Sequence, residues 1–307
     1  MENATIMFHF NLTMYVNIGS YRYPAFVLCF LLFAFIVCAN LVIILALLAL
    51  STLHEPMYIF LCNLCINGLY GTSGFYPKFL NDLLSTTHVI SYAGCLLQGF
   101  VLHSSACADF SLLALMAYDR YVAICRPLVY HSMMSKQRVC VFVFFAWFLP
   151  LYLMFMSTVT TSTSRLCGSH IPKIYCVNYF IGKLACTVSI TNNIIPPFNY
   201  IFYFGHFIFI IWSYVYLIST CLTSKENRTK FMQTCLPHFF CLVTLTVCIL
   251  FDLLYMRLGS ETLPQSAQNF MAIEFIFFPP IINPLIYGFK LTQIRNRIIQ
   301  FWCGKRL

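Results

Sequence analysis

Long apolar stretches alternate with short polar segments along almost the whole chain. Seven of these stretches are long enough to cross a bilayer core as helices, which takes about 20 residues each. A shorter stretch with an apolar face and a basic face follows them, a pattern typical of a helix on a membrane surface. The sequence therefore predicts an all-α membrane protein, a seven-transmembrane helix bundle with a short amphipathic C-terminal helix. The predicted helices are Ala25–Leu50, Met57–Leu84, Tyr92–Ile124, Val139–Thr158, Asn192–Leu222, Phe231–Met256, Pro264–Tyr287 and the amphipathic Leu291–Phe301.

Composition excludes a soluble protein. Hydrophobic residues make up 60% of the chain and charged residues only 9%, against about 25% charged residues in a soluble domain. The net charge of +9 would suggest nucleic acid as the partner of a soluble protein. In a membrane protein such a charge instead reflects basic loops on the cytoplasmic side. We therefore expect membrane lipid, and no nucleic acid, among its partners.

The basic residues predict the orientation of the chain. With the N-terminus outside, twelve Lys and Arg residues fall on the inner side and six on the outer side. This bias predicts a multi-pass plasma-membrane protein with a cytoplasmic C-terminus. We treat residues 1–307 as a single domain, with residues 1–23 extracellular, 24–290 forming the transmembrane bundle and 291–307 forming the cytoplasmic helix and tail.

The N-terminal segment has no basic start and no cleavage site before a short apolar core, so no removable signal peptide is predicted. The first membrane helix is expected to act as the targeting signal. Two glycosylation sequons, at Asn3 and Asn11, precede that helix and favour a glycosylated outer face.

The sixteen cysteines fall into two groups. Most lie inside apolar runs, where a thiol behaves as a small hydrophobic group. Cys167, Cys176 and Cys186 instead lie close together in an outer loop, and Cys95 lies at the outer start of the third helix. These four predict two disulfides on the oxidising side of the membrane, and three pairings are open. A metal site at these four cysteines is disfavoured because their spacing contains no C-x-x-C pair.

Two motifs point to a function. Residues Met116–Tyr130 read MAYDRYVAICRPLVY, with Asp119 and Arg120 placed where an apolar segment gives way to a basic loop. A charged pair at a membrane helix end is costly unless it has a role. Residues Asn283–Tyr287 read NPLIY, and a proline inside a helix weakens its backbone locally. Together with LHEPMY at Leu53–Tyr58, these motifs resemble those of vertebrate odorant receptors, within the rhodopsin-like (class A) G-protein-coupled receptors.

The resemblance implies a receptor domain that binds a small odorant and activates a heterotrimeric G protein of the olfactory stimulatory type, raising cyclic AMP. Arrestin is a further partner. It implies that Asp119 holds Arg120 at rest and releases it when the sixth helix moves. It also selects the disulfides Cys95–Cys176 and Cys167–Cys186. The residues assigned to coupling are Asp119, Arg120, Tyr121, Tyr214, Asn283, Pro284 and Tyr287.

The sequence departs from the family near the centre of the bundle. Gly68, next to Asn67, stands where family members carry an Asp in the second helix, so Asp109 is the remaining buried acid. A lone carboxylate at that depth costs about 2.5–3.5 kcal/mol. Two alternatives stay open, namely a sodium ion held by Asp109 with Asn40 and Asn283, or a protonated and hydrogen-bonded Asp109. No other cofactor is expected.

The ligand pocket is predicted from depth. Ligand sites in helical bundles lie between helices and are mostly apolar. Gly99, His103 and Ala106 share one face of the third helix, and His103 lies about 25 Å outward from Arg120. His103 and Asn199 are expected to bind the polar groups of a small, largely apolar ligand, although a packed His103 is the alternative. The predicted pocket consists of Leu102, His103, Ala106, Phe198, Asn199, Phe202, Ile249, Leu253 and Ile273.

Other function classes fit less well. A transporter would show internal repeats and several broken helices, and we find no such repeat. An enzyme would need convergent catalytic groups, yet Asp109, His103, His238 and Glu274 are dispersed, so no enzyme is predicted. Another class A receptor, trace-amine-like or orphan, is the closest alternative, but Leu102 replaces the acid that binds an amine. The segments NGLYG and FYPKF resemble fish-type odorant receptors and suggest a water-borne ligand.

Overall fold

A computed structural model describes residues 9–12, 21–49, 55–186, 190–221, 236–258, 276–286 and 296. Within these ranges the structure is mostly helical. The helices are α1 Arg22–Leu48, α2 Pro56–Leu84, α3 Tyr92–Cys125, α4 Tyr130–Met133, α5 Lys136–Ser162, α6 Asn178–Lys183, α7 Ile190–Cys221, α8 Leu236–Leu258 and α9 Ile276–Ile286; the strands are β1 His9–Leu12, β2 Val89–Ser91 and β3 His170–Ile171.

Seven of these helices match the seven predicted ones. Helices α8 and α9 are described from Leu236 and Ile276, and the first residues of the two predicted helices, 231–235 and 264–275, lie outside the described residues. Among the helices described at both ends, the largest difference is in α5, which continues to Ser162 rather than ending at Thr158. Its last turn is polar, and the hydroxyls there bond back to the helix, as in Thr161 Oγ1 to the Ser157 carbonyl at 2.9 Å. These bonds satisfy hydroxyls that would otherwise compete for the backbone, so the helix continues past the apolar run. The predicted amphipathic helix lies outside the described residues, apart from residue 296.

Helix α3 is more deeply buried in the protein than α1 and α5. Three helices, α1, α3 and α5, are long and apolar enough to cross a membrane. In α3, 78% of the apolar window is buried in the protein, against 17% in α1 and 22% in α5. The exposed side of α5 carries large apolar side chains such as Phe144 and Phe148. Such a surface suits lipid rather than water, whereas α3 is surrounded by protein.

A small β-sheet was not predicted from the sequence. Strand β1 lies between the other two, antiparallel to β2 and parallel to β3. Phe10 and Leu12 of β1 point into a core, while His9 and Asn11 point outward. This alternation is typical of a strand with one buried face. The core residues are Phe10, Leu12, Ile90, Cys95, Ile171, Cys176 and Ile181.

The chain forms two compact units. The first consists of Met1–Phe35, Tyr70–Cys107 and Leu149–Phe202, and it contains the sheet. The second consists of Ile36–Leu69, Ala108–Phe148 and Tyr203–Leu307. Helices α1, α2, α3, α5 and α7 each contribute residues to both units.

Candidate functional site

The Asp-Arg-Tyr segment forms a closed polar cluster in the second unit. Asp119 is fully buried, and its Oδ2 accepts hydrogen bonds from Arg120, including one from Nε at 2.9 Å. Its Oδ1 accepts a hydrogen bond from Tyr130 Oη at 2.8 Å. Tyr130 lies in α4, just after α3. Both oxygens of the carboxylate are therefore occupied, so a buried charge is paired as burial requires.

Burial raises the pKa of the Tyr130 phenol, and the adjacent Asp119 charge raises it further. The phenol therefore stays protonated at neutral pH and acts as the donor. Next to it, Leu128 is 100% exposed, and the flanking Arg126, Lys136 and Arg138 are exposed as well.

Two of the tyrosines assigned to coupling, Tyr121 and Tyr214, lie in aromatic contacts. Tyr121 packs against Trp212 and Tyr216 of α7, with ring centroids 5.5 Å and 5.3 Å away. Tyr214 of α7 packs against Phe239 of α8 at 5.2 Å. These residues therefore connect α3 to α7 and α7 to α8. Trp212 and Tyr216 were not among the predicted residues, because nothing in their sequence context distinguishes them from other aromatic residues of an apolar helix.

A polar centre lies in the same unit. Asn67 Nδ2 donates to Asp109 Oδ1 at 2.7 Å. Asn40 Nδ2 donates to the Ile36 carbonyl at 2.8 Å and reaches the Pro280 carbonyl at 3.5 Å. A Cβ on Gly68 would lie 3.2 Å from Asn40 Oδ1, so Asn40 packs tightly against that glycine. Asn283 and Pro284 are buried, whereas Tyr287 lies outside the described residues.

These contacts bear on the two alternatives for Asp109. A hard cation needs several oxygen ligands, but here the amide N–H group of Asn67 is directed at the carboxyl. Among the described residues, no three His, Cys, Asp or Glu side chains come together as metal ligands. The site therefore fits a sodium ion poorly, and the contacts support the hydrogen-bonded alternative. The proposed signalling mechanism does not require a bound cation.

The disulfide pairing implied by the resemblance is confirmed. Cys95 at the start of α3 is bonded to Cys176, and Cys167 is bonded to Cys186. Of the thiols among the described residues, Cys65, Cys107, Cys241 and Cys248 are buried within helices, in agreement with a packing role. Asn11 is exposed on β1, while Asn3 lies outside the described residues, and glycosylation of both stays a prediction.

Charged groups are also buried in the first unit. Asp82 of α2 is fully buried and paired with Lys78. Lys173 is fully buried, with Nζ 2.9 Å from Tyr175 Oη and 4.7 Å from the centroid of that ring. Burial lowers the pKa of His88, and the Asp82 charge partly offsets this effect. His88 is therefore neutral at neutral pH.

The predicted pocket is described only in part. His103 Nδ1 lies 2.9 Å from the Gly99 carbonyl one turn away, and Leu102 and Ala106 are buried. Ile249 of α8 is buried in the second unit. Phe198, Asn199 and Phe202 lie in α7 and Leu253 lies in α8, with side chains outside the described part, and Ile273 lies outside it altogether. The prediction that these residues share one pocket stays a prediction.

The chain matches the family model described as "Olfactory receptor" over residues 28–305. Olfactory receptor 4B13 of Mus musculus is 33% identical, covering 96% of this chain and 98% of that relative. Olfactory receptor 11A1 of Homo sapiens is 30% identical, covering 96% of this chain and 95% of that relative.

Among solved structures, squid rhodopsin matches with a TM-score of 0.74 at 16% identity, covering 93% of this chain and 86% of that one. This likeness confirms the seven-helix fold. The relatives are receptors rather than enzymes, and the family and fold together make the chain a multi-pass plasma-membrane protein. The chain thus belongs to the olfactory receptor family of class A G-protein-coupled receptors.

Proposed function

We propose that this receptor binds a small, largely apolar odorant within its helix bundle and activates a stimulatory G protein of the olfactory type, which raises cyclic AMP. The observation that carries the proposal is the Asp119 cluster, in which Arg120 and Tyr130 occupy both carboxylate oxygens. In this arrangement the Arg120 side chain is held and cannot bind a partner. Activation releases it.

Coupling requires a surface that a G protein can recognise. In the proposed orientation, the loop after α3 faces the cytoplasm and presents Leu128 with three exposed cations. Apolar contact supplies affinity at such a surface, and complementary charge supplies orientation and association rate. The aromatic contacts of Tyr121 with α7 and of Tyr214 with Phe239 link α3, α7 and α8. A movement of α8 would therefore shift α7, and through α7 the inner end of α3.

The test of coupling is Arg120→Ala. We expect this variant to reach the cell surface and to bind agonist, but to lose agonist-dependent cyclic AMP. Surface labelling and agonist-induced thermal stabilisation of the purified receptor are the controls for delivery and binding. Arg165→Ala removes an exposed cation of the loop after α5, away from this surface, and is the matched variant, expected to retain the response. Normal cyclic AMP from Arg120→Ala at parental surface levels would contradict the proposal.

The ligand site is proposed to be the pocket predicted around His103 and Asn199, with Leu102, Ala106, Phe198, Phe202, Ile249, Leu253 and Ile273 as its apolar lining. His103 is supported by its position in the first unit, one turn below the glycine that packs against the disulfide-bound loop. His103→Ala and Asn199→Ala should each shift agonist potency at unchanged surface expression. If both respond as the parent does to several agonists, the ligand binds elsewhere.

A further inference from the structure

Asn178 lies where the disulfide-bound loop meets two membrane helices. It is the first residue of α6 and follows Cys176 by two positions. Cys176 is tied to Cys95 of α3, and its backbone N–H donates to Gln98 Oε1 at 3.0 Å. The loop backbone next to Asn178 is therefore fixed against α3. Asn178 thus projects its side chain from a firmly held backbone.

Chemistry determines which way the Asn178 amide is turned. Thr158 Oγ1 donates its hydrogen to the Met154 carbonyl at 2.8 Å, so towards Asn178 it can only accept. The atom of Asn178 that lies 3.1 Å from Thr158 Oγ1 must therefore be the amide nitrogen, Nδ2. A second contact from Nδ2 reaches Ser157 Oγ at 3.5 Å. Both N–H groups of the amide thus face α5.

The carbonyl oxygen of that amide faces α3. Asn178 Oδ1 lies 3.2 Å from the position that a Cβ on Gly99 would occupy. The oxygen is buried, and within the described part of the chain it accepts no hydrogen bond. Gln98, the nearby amide of α3, directs its own donor to the Gly74 carbonyl at 3.3 Å. A buried acceptor without a donor is destabilising, so this oxygen is a place where a ligand's donor would gain affinity.

The next turn of α3 presents a second acceptor. His103 Nδ1 lies 2.9 Å from the Gly99 carbonyl, and since a carbonyl can only accept, Nδ1 carries the proton. In the neutral imidazole the other nitrogen, Nε2, is then an acceptor. Asn178 Oδ1 and His103 Nε2 are therefore both acceptors rather than donors.

We propose that Asn178 selects ligands that carry a hydrogen-bond donor, a hydroxyl or an N–H group, on an otherwise apolar skeleton. This inference rests on the proposed function, and it deepens that function by naming the ligand class. The donor binds to Asn178 Oδ1, the buried acceptor that lies against Gly99. Ethers, esters and ketones of the same shape lack the donor and leave the oxygen unsatisfied.

The experiment uses the purified full-length receptor and matched pairs of alcohols and their methyl ethers on linear, cyclic and aromatic skeletons. Binding is measured as the ligand concentration that gives half-maximal thermal stabilisation, a readout that needs no G protein. We expect alcohols to bind about tenfold more tightly than their ethers, the effect of one well-placed hydrogen bond. Equal binding of both members of each pair, or no binding by any alcohol, overturns the proposal.

Variants test whether Asn178 Oδ1 causes the preference for alcohols over ethers. Asn178→Leu keeps the size of the side chain and removes the acceptor, so the preference should fall to about twofold or less. Thr158→Val removes the contact on the nitrogen side and should keep the preference. If Asn178→Leu does not fold, Gly99→Ala places a methyl group against the oxygen and should weaken alcohols but not ethers. A preference that survives in whichever of these two variants folds contradicts the proposal.

Cyclic AMP measured in parallel separates the two claims. If alcohols are preferred in thermal stabilisation but raise no cyclic AMP, the coupling proposal fails and the role of Asn178 stands. If cyclic AMP rises equally with alcohols and ethers, the ligand class is wrong and the receptor function stands.

Discussion

At the residue scale, we propose that the resting state depends on Asp119. Its carboxylate is fully buried, and isolated buried charge is strongly destabilising. Arg120 supplies the opposite charge, and Tyr130 supplies a neutral donor to the other oxygen. The cluster therefore has two separable parts, an ion pair inside α3 and a link from α3 to α4.

The hydrogen bond between Tyr130 and Asp119 can be removed without changing any charge. Tyr130→Phe deletes the hydroxyl that donates to Asp119 and keeps the ring. A hydrogen bond to a charged group contributes about 1.5 kcal/mol or more, so the equilibrium should shift about tenfold towards the active state. We expect higher basal cyclic AMP at equal surface expression. Ser132→Ala, which removes an exposed hydroxyl of the same loop, should leave basal activity unchanged, and a basal level in Tyr130→Phe equal to the parent's would refute the link.

Asn67 is the second residue with a testable role. Its amide donates to Asp109 at 2.7 Å, a contact that favours the hydrogen-bonded alternative for Asp109. We expect the melting temperature of the purified receptor to be the same in sodium chloride and in choline chloride. Asn67→Asp should create a sodium dependence, because two adjacent carboxylates attract a cation more strongly than one.

Asn67→Leu is the matched variant, since it removes the amide without adding charge and should remain insensitive to sodium. A parent receptor that melts at different temperatures in the two salts would favour the sodium alternative instead.

The motif residues were predictable and their partners were not. Asp119 and Arg120 stand out because charge is rare in an apolar segment. Tyr130 and Asn178 lie in the short helices α4 and α6. Their proposed roles arise from contacts with other parts of the chain, such as the contact of Asn178 with Thr158 of α5. A single sequence carries no signal for such contacts.

At the element scale, β1 connects two loops that are far apart in the chain. Asn11 is paired with Val89 of β2 on one side and His170 of β3 on the other. In this sheet β2 and β3 each pair with β1 and not with each other, so β1 is the strand that joins the two loops. Four residues are too few for a strand to be predicted from alternation alone, and the pairing is non-local, so the sheet could not be foreseen.

Phe10 should be the residue through which β1 stabilises this region. It is fully buried in the core beside the Cys95–Cys176 disulfide, and Phe→Ala at such a site costs about 3–5 kcal/mol. We expect Phe10→Ala to lower the melting temperature and the surface level of the receptor. His9→Ala, on the exposed face of the same strand, should change neither, and equal melting of the two variants would show that the core is not needed.

At the scale of the whole molecule, the apolar pattern was sufficient for the architecture. Seven helices and their order follow from features that a membrane imposes on a sequence, since only helices or closed barrels satisfy the backbone in lipid. The pairing of the two disulfides was implied by the family resemblance instead. The burial of α3, in contrast to α1 and α5, could not be read from hydropathy, because lipid-facing and protein-facing positions are both apolar in a membrane helix.

We propose that odorant binding activates a stimulatory G protein, and the dependence of the cyclic AMP response on that G protein is the decisive test. Agonist-dependent cyclic AMP is recorded in cells that lack stimulatory G-protein α subunits and again after the olfactory α subunit is restored. We expect no response in the first cells, a full response in the second, and no restored response with Arg120→Ala at equal surface expression. A cyclic AMP response without the α subunit, or none after its restoration despite agonist binding, would contradict the account.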